Sequence, residues 1–190
     1  MTHAPTRELP NPHDRFFKEV FSRPEIAADF LANYLPGSVT GVLDLTNPEL
    51  VKGSFVDAEL RQHFSDLLYR VRLRAGPEAF VYLLFEHKSA PDDRVAFQLL
   101  RYLLRIWEPI ARRHMAKLPP IFPLVLYHGR SKWTIARNFG ATIDWDRAEP
   151  LKRYVPEFEY YVCDLTEYEA DEIQGAISAT GRIACNEIYF

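Results

Sequence analysis

Val81-Tyr82-Leu83-Leu84-Phe85-Glu86-His87-Lys88-Ser89 is the stretch around which the chain is organised. Its first five residues are apolar, aromatic or β-branched, the composition of a strand buried on both faces. It then ends in charge. Side chains alternate along a strand with period two, so Glu86 and Lys88 share one face and His87 turns to the other. A carboxylate followed by a lysine at a strand mouth is also common surface chemistry. Spacing alone does not lift the pair above that.

Just upstream, Phe64 to Arg74 reads as a second strand whose later part alternates apolar and basic residues, giving one wetter face. Ala75-Gly76-Pro77 supplies a turn, and two strands so close in sequence form a hairpin. Counted inward from Gly76, Asp66 and Glu86 stand at comparable distance, so the hairpin brings their ends together.

Downstream, Asp92-Asp93 opens a helix reaching about residue 115, with Val95, Leu99, Leu100, Leu103, Ile106 and Ile110 on its apolar face. Pro109 is expected to kink or divide it. Arg112-Arg113-His114 falls in its last turn, where cations suit the helix dipole. Ile121 to Tyr127 is another buried strand, broken early by Pro123 and ended by His128-Gly129. A helix between two such strands is the grammar of a parallel crossover. The expected fold is α/β, a mixed central β-sheet flanked by helices.

The flanks are less regular. Residues 1–12 are polar and proline-containing and read as a loose arm. Asp14 is placed to cap a helix over 15–34, which Pro24 divides into two short helices or one broken one, and Pro36-Gly37 ends it. Val42 to Leu45 suits a short strand followed by turn formers Asn47-Pro48, and Ser54-Phe55-Val56 an extended piece. Glu157 to Leu165 suits a last strand and 167–177 an amphipathic helix. The core domain is therefore drawn over 13–165, with 166–190 as a short or truncated appendage.

With 190 residues, 47% of them apolar, the chain can bury a real core. Its net charge of −3 excludes a heavily basic nucleic-acid coat but leaves room for a local basic groove. Two cysteines, Cys163 and Cys185, are too few for a disulfide scaffold or a cysteine-rich zinc site. The first residues carry no apolar core of a signal peptide, and no apolar run approaches the roughly 20 residues of a spanning helix. The expectation is a cytoplasmic protein with no membrane segment.

Asp66 and Glu86, if close, repel each other, and a divalent cation removes that cost. Oxygen ligands of this kind, with the His87 backbone carbonyl as a third, suit Mg²⁺, with Mn²⁺ as a substitute. A metal held so activates water against a phosphodiester, with Lys88 orienting the water or offsetting phosphate charge. Gln98 and Tyr102 lie one turn apart on the following helix and either reach over this site or border a packed stripe. Glu19 either closes over the metal or is a solvated helix residue. Arg70, Arg72, Arg94, Arg101 and Arg105 are candidate DNA phosphate contacts, although any one of them singly is more simply part of a solvated face. The aromatic density leaves a homodimer surface as a further possibility.

Taken together, His13-Asp14-Arg15-Phe16-Phe17-Lys18-Glu19-Val20-Phe21, Ser65-Asp66-Leu67-Leu68-Tyr69-Arg70-Val71, Tyr82 to Ser89, Gln98-Leu99-Leu100-Arg101-Tyr102, and Pro123 to Gly129 with Lys132-Trp133-Thr134 resemble the Rpn/YhgA-like transposase family. These are recombination-promoting nucleases of the PD-(D/E)XK superfamily. The resemblance covers about residues 11–165 and implies a restriction-endonuclease-like fold and Mg²⁺-dependent DNA endonuclease chemistry linked to recombination or transposition. It makes Asp66 and Glu86 the metal-binding acids, Lys88 the motif lysine, Glu19 the helical acid, and Gln98 and Tyr102 an accessory pair. Ser65 stands where the family pattern has proline. Many members continue into further helices, so a degenerate mobile-element copy that only binds DNA or a partner is the alternative.

Overall fold

The computed structural model describes residues 12–51, 67–86, 90–113 and 117–167, with the backbone alone for 12–16 and for 85 and 86. Three helices come first: α1 (Pro12–Phe21), α2 (Pro24–Tyr34) and the single turn α3 (Gly37–Thr40). Pro24 divides the first two as expected, because proline at the first helical position lacks only an N–H that would be unbonded anyway. Asp14 does not cap α1, which already begins at Pro12.

Among the described residues five strands form one sheet in the order β1 (Leu43–Leu50), β2 (Leu67–Leu73), β3 (Glu78–Glu86), β4 (Ile121–Tyr127) and β5 (Tyr161–Asp164). The first three are antiparallel neighbours, while β3, β4 and β5 run parallel. Helix α4 (Val95–Ala111) makes the crossover from β3 to β4. This is the expected mixed sheet flanked by helices, a restriction-endonuclease-like α/β architecture. The expected extended piece at Ser54–Val56 and helix at 167–177 lie wholly or almost wholly outside the described residues.

Alternation along β3 builds two cores. Ala79, Val81 and Leu83 join Tyr69, Val71, Leu124, Leu126 and Cys163 under α1 and α2. Phe80, Tyr82 and Leu84 join Leu68, Val125, Tyr127 and Val162 under α4, through Val95, Leu99, Tyr102, Ile106 and Ile110. Both cores are tied to neighbouring elements by hydrogen bonds from aromatic side chains. On the first face the Tyr69 hydroxyl donates to the Phe21 carbonyl at 2.6 Å, closing the C-terminal end of α1 onto β2. On the second the Trp107 indole N–H donates to the Pro119 carbonyl at 2.8 Å, just before β4 begins.

Several boundaries differ from the sequence expectation for identifiable reasons. The turn formers Asn47-Pro48 lie inside β1, where the register with β2 shifts between Asp44 and Glu49. A bulged edge strand tolerates proline because its outer N–H has no ladder partner. Pro123 does not break β4, which pairs continuously with β3 from Ile121 to Tyr127. The Phe80 N–H donates to the Pro120 carbonyl. Parallel ladders use alternate residues, so the nitrogen of Phe122 faces β3 and that of Pro123 faces the other side. There β5 pairs only from Leu124 onward. Helix α4 starts at Val95, after Asp92 accepts the Arg94 N–H at 2.9 Å, and runs through Pro109 to Ala111. Arg112 is its C-cap, so the expected basic last turn begins just beyond the helix.

Tyr69→Phe should destabilise the protein by about 1–2 kcal/mol, because the Phe21 carbonyl is left buried without its donor. Urea unfolding should show a lower midpoint with an unchanged slope.

Candidate active site

The C-terminal ends of the three parallel strands form one row. Glu86 closes β3 in register with Tyr127, the last residue of β4, and Tyr127 is in register with Asp164, the last residue of β5. In open α/β sheets this end of the parallel strands is where ligands bind. Crossover geometry brings α4 to the same end. Tyr102 stacks on Tyr82 with ring centroids 4.9 Å apart. Gln98 lies one turn nearer the start of α4, and Glu86 lies four residues further along β3. The helix returns antiparallel to the strand, so both steps lead toward the same mouth.

Tyr102 is therefore core as well as an accessory candidate: it is buried and its ring packs against the sheet. Gln98 is half-buried, and its amide nitrogen is buried with no hydrogen-bond partner among the described residues. The Tyr127 hydroxyl is in the same condition, on a side chain that is fully buried. Glu19 is exposed on α1, whose Phe17, Val20 and Phe21 pack into the opposite core from α4. Asp66, His87 and Lys88 lie outside the described residues. The described part of the hairpin pairs Leu67 with Leu83 and Arg72 with Glu78, which centres it on Ala75 and not on Gly76.

The candidate DNA contacts fall in different places. Arg70 and Arg72 pair with Phe80 and Glu78, toward the far end of the nine-residue strand β3 from Glu86. Arg70 also faces two carboxylates, Glu49 at 3.6 Å and Glu78 at 3.8 Å. Arg94 is exposed at the start of α4, beside the mouth. Arg101 and Arg105 are exposed further along α4, and Arg105 pairs with Glu108 at 3.2 Å.

The row also contains a carboxylate that sequence reasoning left unassigned. Asp164 is only 2% exposed, yet it is fully engaged. One oxygen accepts the Trp133 backbone N–H at 2.7 Å. The other accepts the Thr166 N–H at 2.9 Å and its hydroxyl at 2.8 Å. Buried carboxylates need such partners. The Asp164-Leu165-Thr166 pattern of a side chain bonding two residues on was the available signal. Trp133 packs edge-on against Tyr127 and Tyr160, at 5.1 and 6.3 Å between ring centroids. Its indole N–H donates to the Ile135 carbonyl at 2.9 Å.

Among the described residues no three His, Cys, Asp or Glu side chains gather as a metal site. Of the expected ligands, only Glu19 and Glu86 fall within the described residues, so Asp66 and the His87 carbonyl are needed to complete the hard-oxygen set that suits Mg²⁺. Cys163 offers no alternative chemistry. Burial first, then Asp164 and Glu167, pushes its thiol up to about 12.

The mixed sheet and its helices define a restriction-endonuclease-like α/β domain, with the candidate site at its parallel mouth. The family model "Putative transposase, YhgA-like" matches residues 11–184. The chain belongs to this family of recombination-promoting nucleases and their relatives. It is 34% identical to Recombination-promoting nuclease RpnA of Escherichia coli K12 over 170 residues, 88% of this chain and 56% of that protein. It is 33% identical to RpnC of the same strain over 165 residues, 85% of this chain and 53% of that one. It is also 30% identical to the K12 protein named Inactive recombination-promoting nuclease-like protein RpnE, over 86% of this chain and 54% of that one. The chain thus spans about half the length of these curated relatives. No solved structure matches it significantly. Among the described residues no helix is long and apolar enough to cross a membrane.

In a Cys185→Ser background, Cys163 should resist iodoacetamide at pH 8, where about one thiol in ten thousand is ionised. Rapid labelling should appear only in denaturant, with mass spectrometry as the readout.

Proposed function

We propose that this chain is a DNA-associating domain on a nuclease fold, with the mouth of β3, β4 and β5 as its working end. The observation behind this reading is the convergence of Glu86, at the end of the central strand, and Gln98, on the crossover helix, on that one end of the sheet. Two readings share it.

The one that asks least is a DNA-binding or partner-binding module of a mobile-element remnant, without turnover. It is supported by RpnE, a relative over most of this chain that is named inactive.

The second is a Mg²⁺-dependent DNA endonuclease. It is favoured by the names of RpnA and RpnC and by the unbroken Glu86-His87-Lys88 motif. In this reading Asp66, Glu86 and the His87 carbonyl would hold Mg²⁺, or Mn²⁺ in its place, and Glu19 would join them only by closing over the ion from α1. When bound, the ion supplies Lewis acidity at the phosphoryl group. Lys88 places a cation against the phosphate and orients the attacking water, which adds to phosphorus as the 3′ oxygen leaves. Gln98 and Tyr102 support the phosphate from the helix side. Arg94, Arg101 and Arg105 add phosphate contacts along α4. Core residues 13–165 form the working domain, with 166–190 as an appendage.

Purified chain should be incubated with supercoiled plasmid and Mg²⁺ beside Asp66→Ala and Lys88→Ala, with DNA retention measured in parallel without metal. The endonuclease reading expects nicking that falls by at least about a hundredfold in both variants. The module reading expects retention and no nicking by any of the three. Equal nicking by all three would remove the proposed site, and neither nicking nor retention would remove the DNA-associating proposal and leave only a partner-binding module.

A further inference from the structure

The loop after β4 holds two cations that neither the motif nor the arginine set accounts for. Tyr127 ends β4 beside Glu86, and the chain continues as His128-Gly129-Arg130-Ser131-Lys132-Trp133. Arg130 and Lys132 are both exposed. Among the described residues neither is paired with a carboxylate, and the loop itself contains no acid. The segment has no regular secondary structure, yet it is anchored at its far end. The Trp133 N–H donates to buried Asp164 at 2.7 Å, its indole donates to the Ile135 carbonyl at 2.9 Å, and its ring lies against Tyr127 and Tyr160. Both ends of the six-residue segment 128–133 are thus held at the mouth, by β4 on one side and by the last residue of β5 on the other.

Of the other basic candidates, Arg94 also stands beside the mouth without a carboxylate partner among the described residues, but at the start of α4 and not on this loop, and Arg101 lies further along α4. Arg70 and Arg72 sit toward the far end of β3, and Arg70 and Arg105 face carboxylates. A cation already compensated by a neighbouring acid attracts a polyanion less. A cation on a pre-anchored loop loses little conformational freedom on binding.

We infer that the loop 128–133 is a DNA phosphate clamp, in which Arg130 and Lys132 seat the nucleic-acid backbone at the mouth of β3 and β4 while Asp164 and Trp133 hold the loop in place. This rests on the DNA-associating reading above. Contacts to phosphate are indifferent to base sequence, and each displaces condensed counterions, so the loop contributes affinity and salt dependence but no sequence preference.

The test is the DNA affinity of the full chain as a function of salt, measured by fluorescence anisotropy on two duplexes of unrelated sequence, in EDTA so that cleavage plays no part. Arg130→Ala with Lys132→Ala should lower the magnitude of the log K against log salt slope by about two, one per phosphate contact, and weaken both duplexes alike. Lys152→Ala is the control. Lys152 lies outside the loop and pairs with Glu149 at 2.9 Å, so its loss should leave the slope unchanged. Wild type that binds while the double variant keeps the same slope and affinity would overturn the clamp and leave the DNA reading standing. An equal drop in the Lys152 variant would overturn it too, since any lost charge would then suffice. Wild type that binds neither duplex would overturn the DNA reading, and the clamp with it.

Discussion

Strand β3 has to be covered on both faces, and the rest of the fold follows from that. Val81, Leu83 and Leu84 are fully buried, and successive residues point to opposite sides of the sheet. A strand of this kind needs two layers of cover. The N-terminal helices supply one and the crossover helix the other. At about 25 cal/mol per Å² of apolar surface removed from water, these faces carry much of the driving force for folding. The same requirement confines charge to the strand's ends, which is why Glu86 appears where the apolar run stops.

The crossover then decides where chemistry is possible. A helix joining two parallel strands must return antiparallel to them, so its first turns lie over the strands' C-terminal ends. Gln98 is brought toward the mouth for that reason, and the Tyr82–Tyr102 stack sets the distance along the helix. The connection from β4 to β5 is longer and irregular. Its first stretch is held at Trp133 by a buried carboxylate, Asp164, that satisfies backbone and hydroxyl donors at once. The mouth is thereby walled by a loop whose position depends on a residue more than thirty positions away.

Much of this was legible beforehand because it depends on local pattern. The buried strands, the turn at Ala75-Gly76-Pro77, the amphipathic α4 and the division at Pro24 all follow from periodicity or backbone restriction. Prolines were the main source of misplaced boundaries. Pro48, Pro109 and Pro123 look like breaks when read locally. Whether a missing N–H matters depends on whether a partner strand or turn would have used it. Pro123 faces away from β3 at a point where β5 has not yet begun to pair, and Pro48 lies in a bulged edge strand.

For the candidate site, the sequence by itself determined the residue types and their order. Glu86-His87-Lys88 follows a buried strand, an acid precedes the hairpin partner, and Gln98 and Tyr102 share a helix face. These are short-range facts of spacing. Tertiary structure alone decided the rest, because it depends on register and on contacts between distant segments. Pairing of Leu67 with Leu83 shifts the hairpin centre to Ala75. The opposing carboxylates at Glu49 and Glu78 separate Arg70 from Arg130 and Lys132, which face no carboxylate among the described residues. The Asp164–Trp133 bond, which sets the loop beside β4, spans 31 positions in the chain, so no local pattern could have announced it.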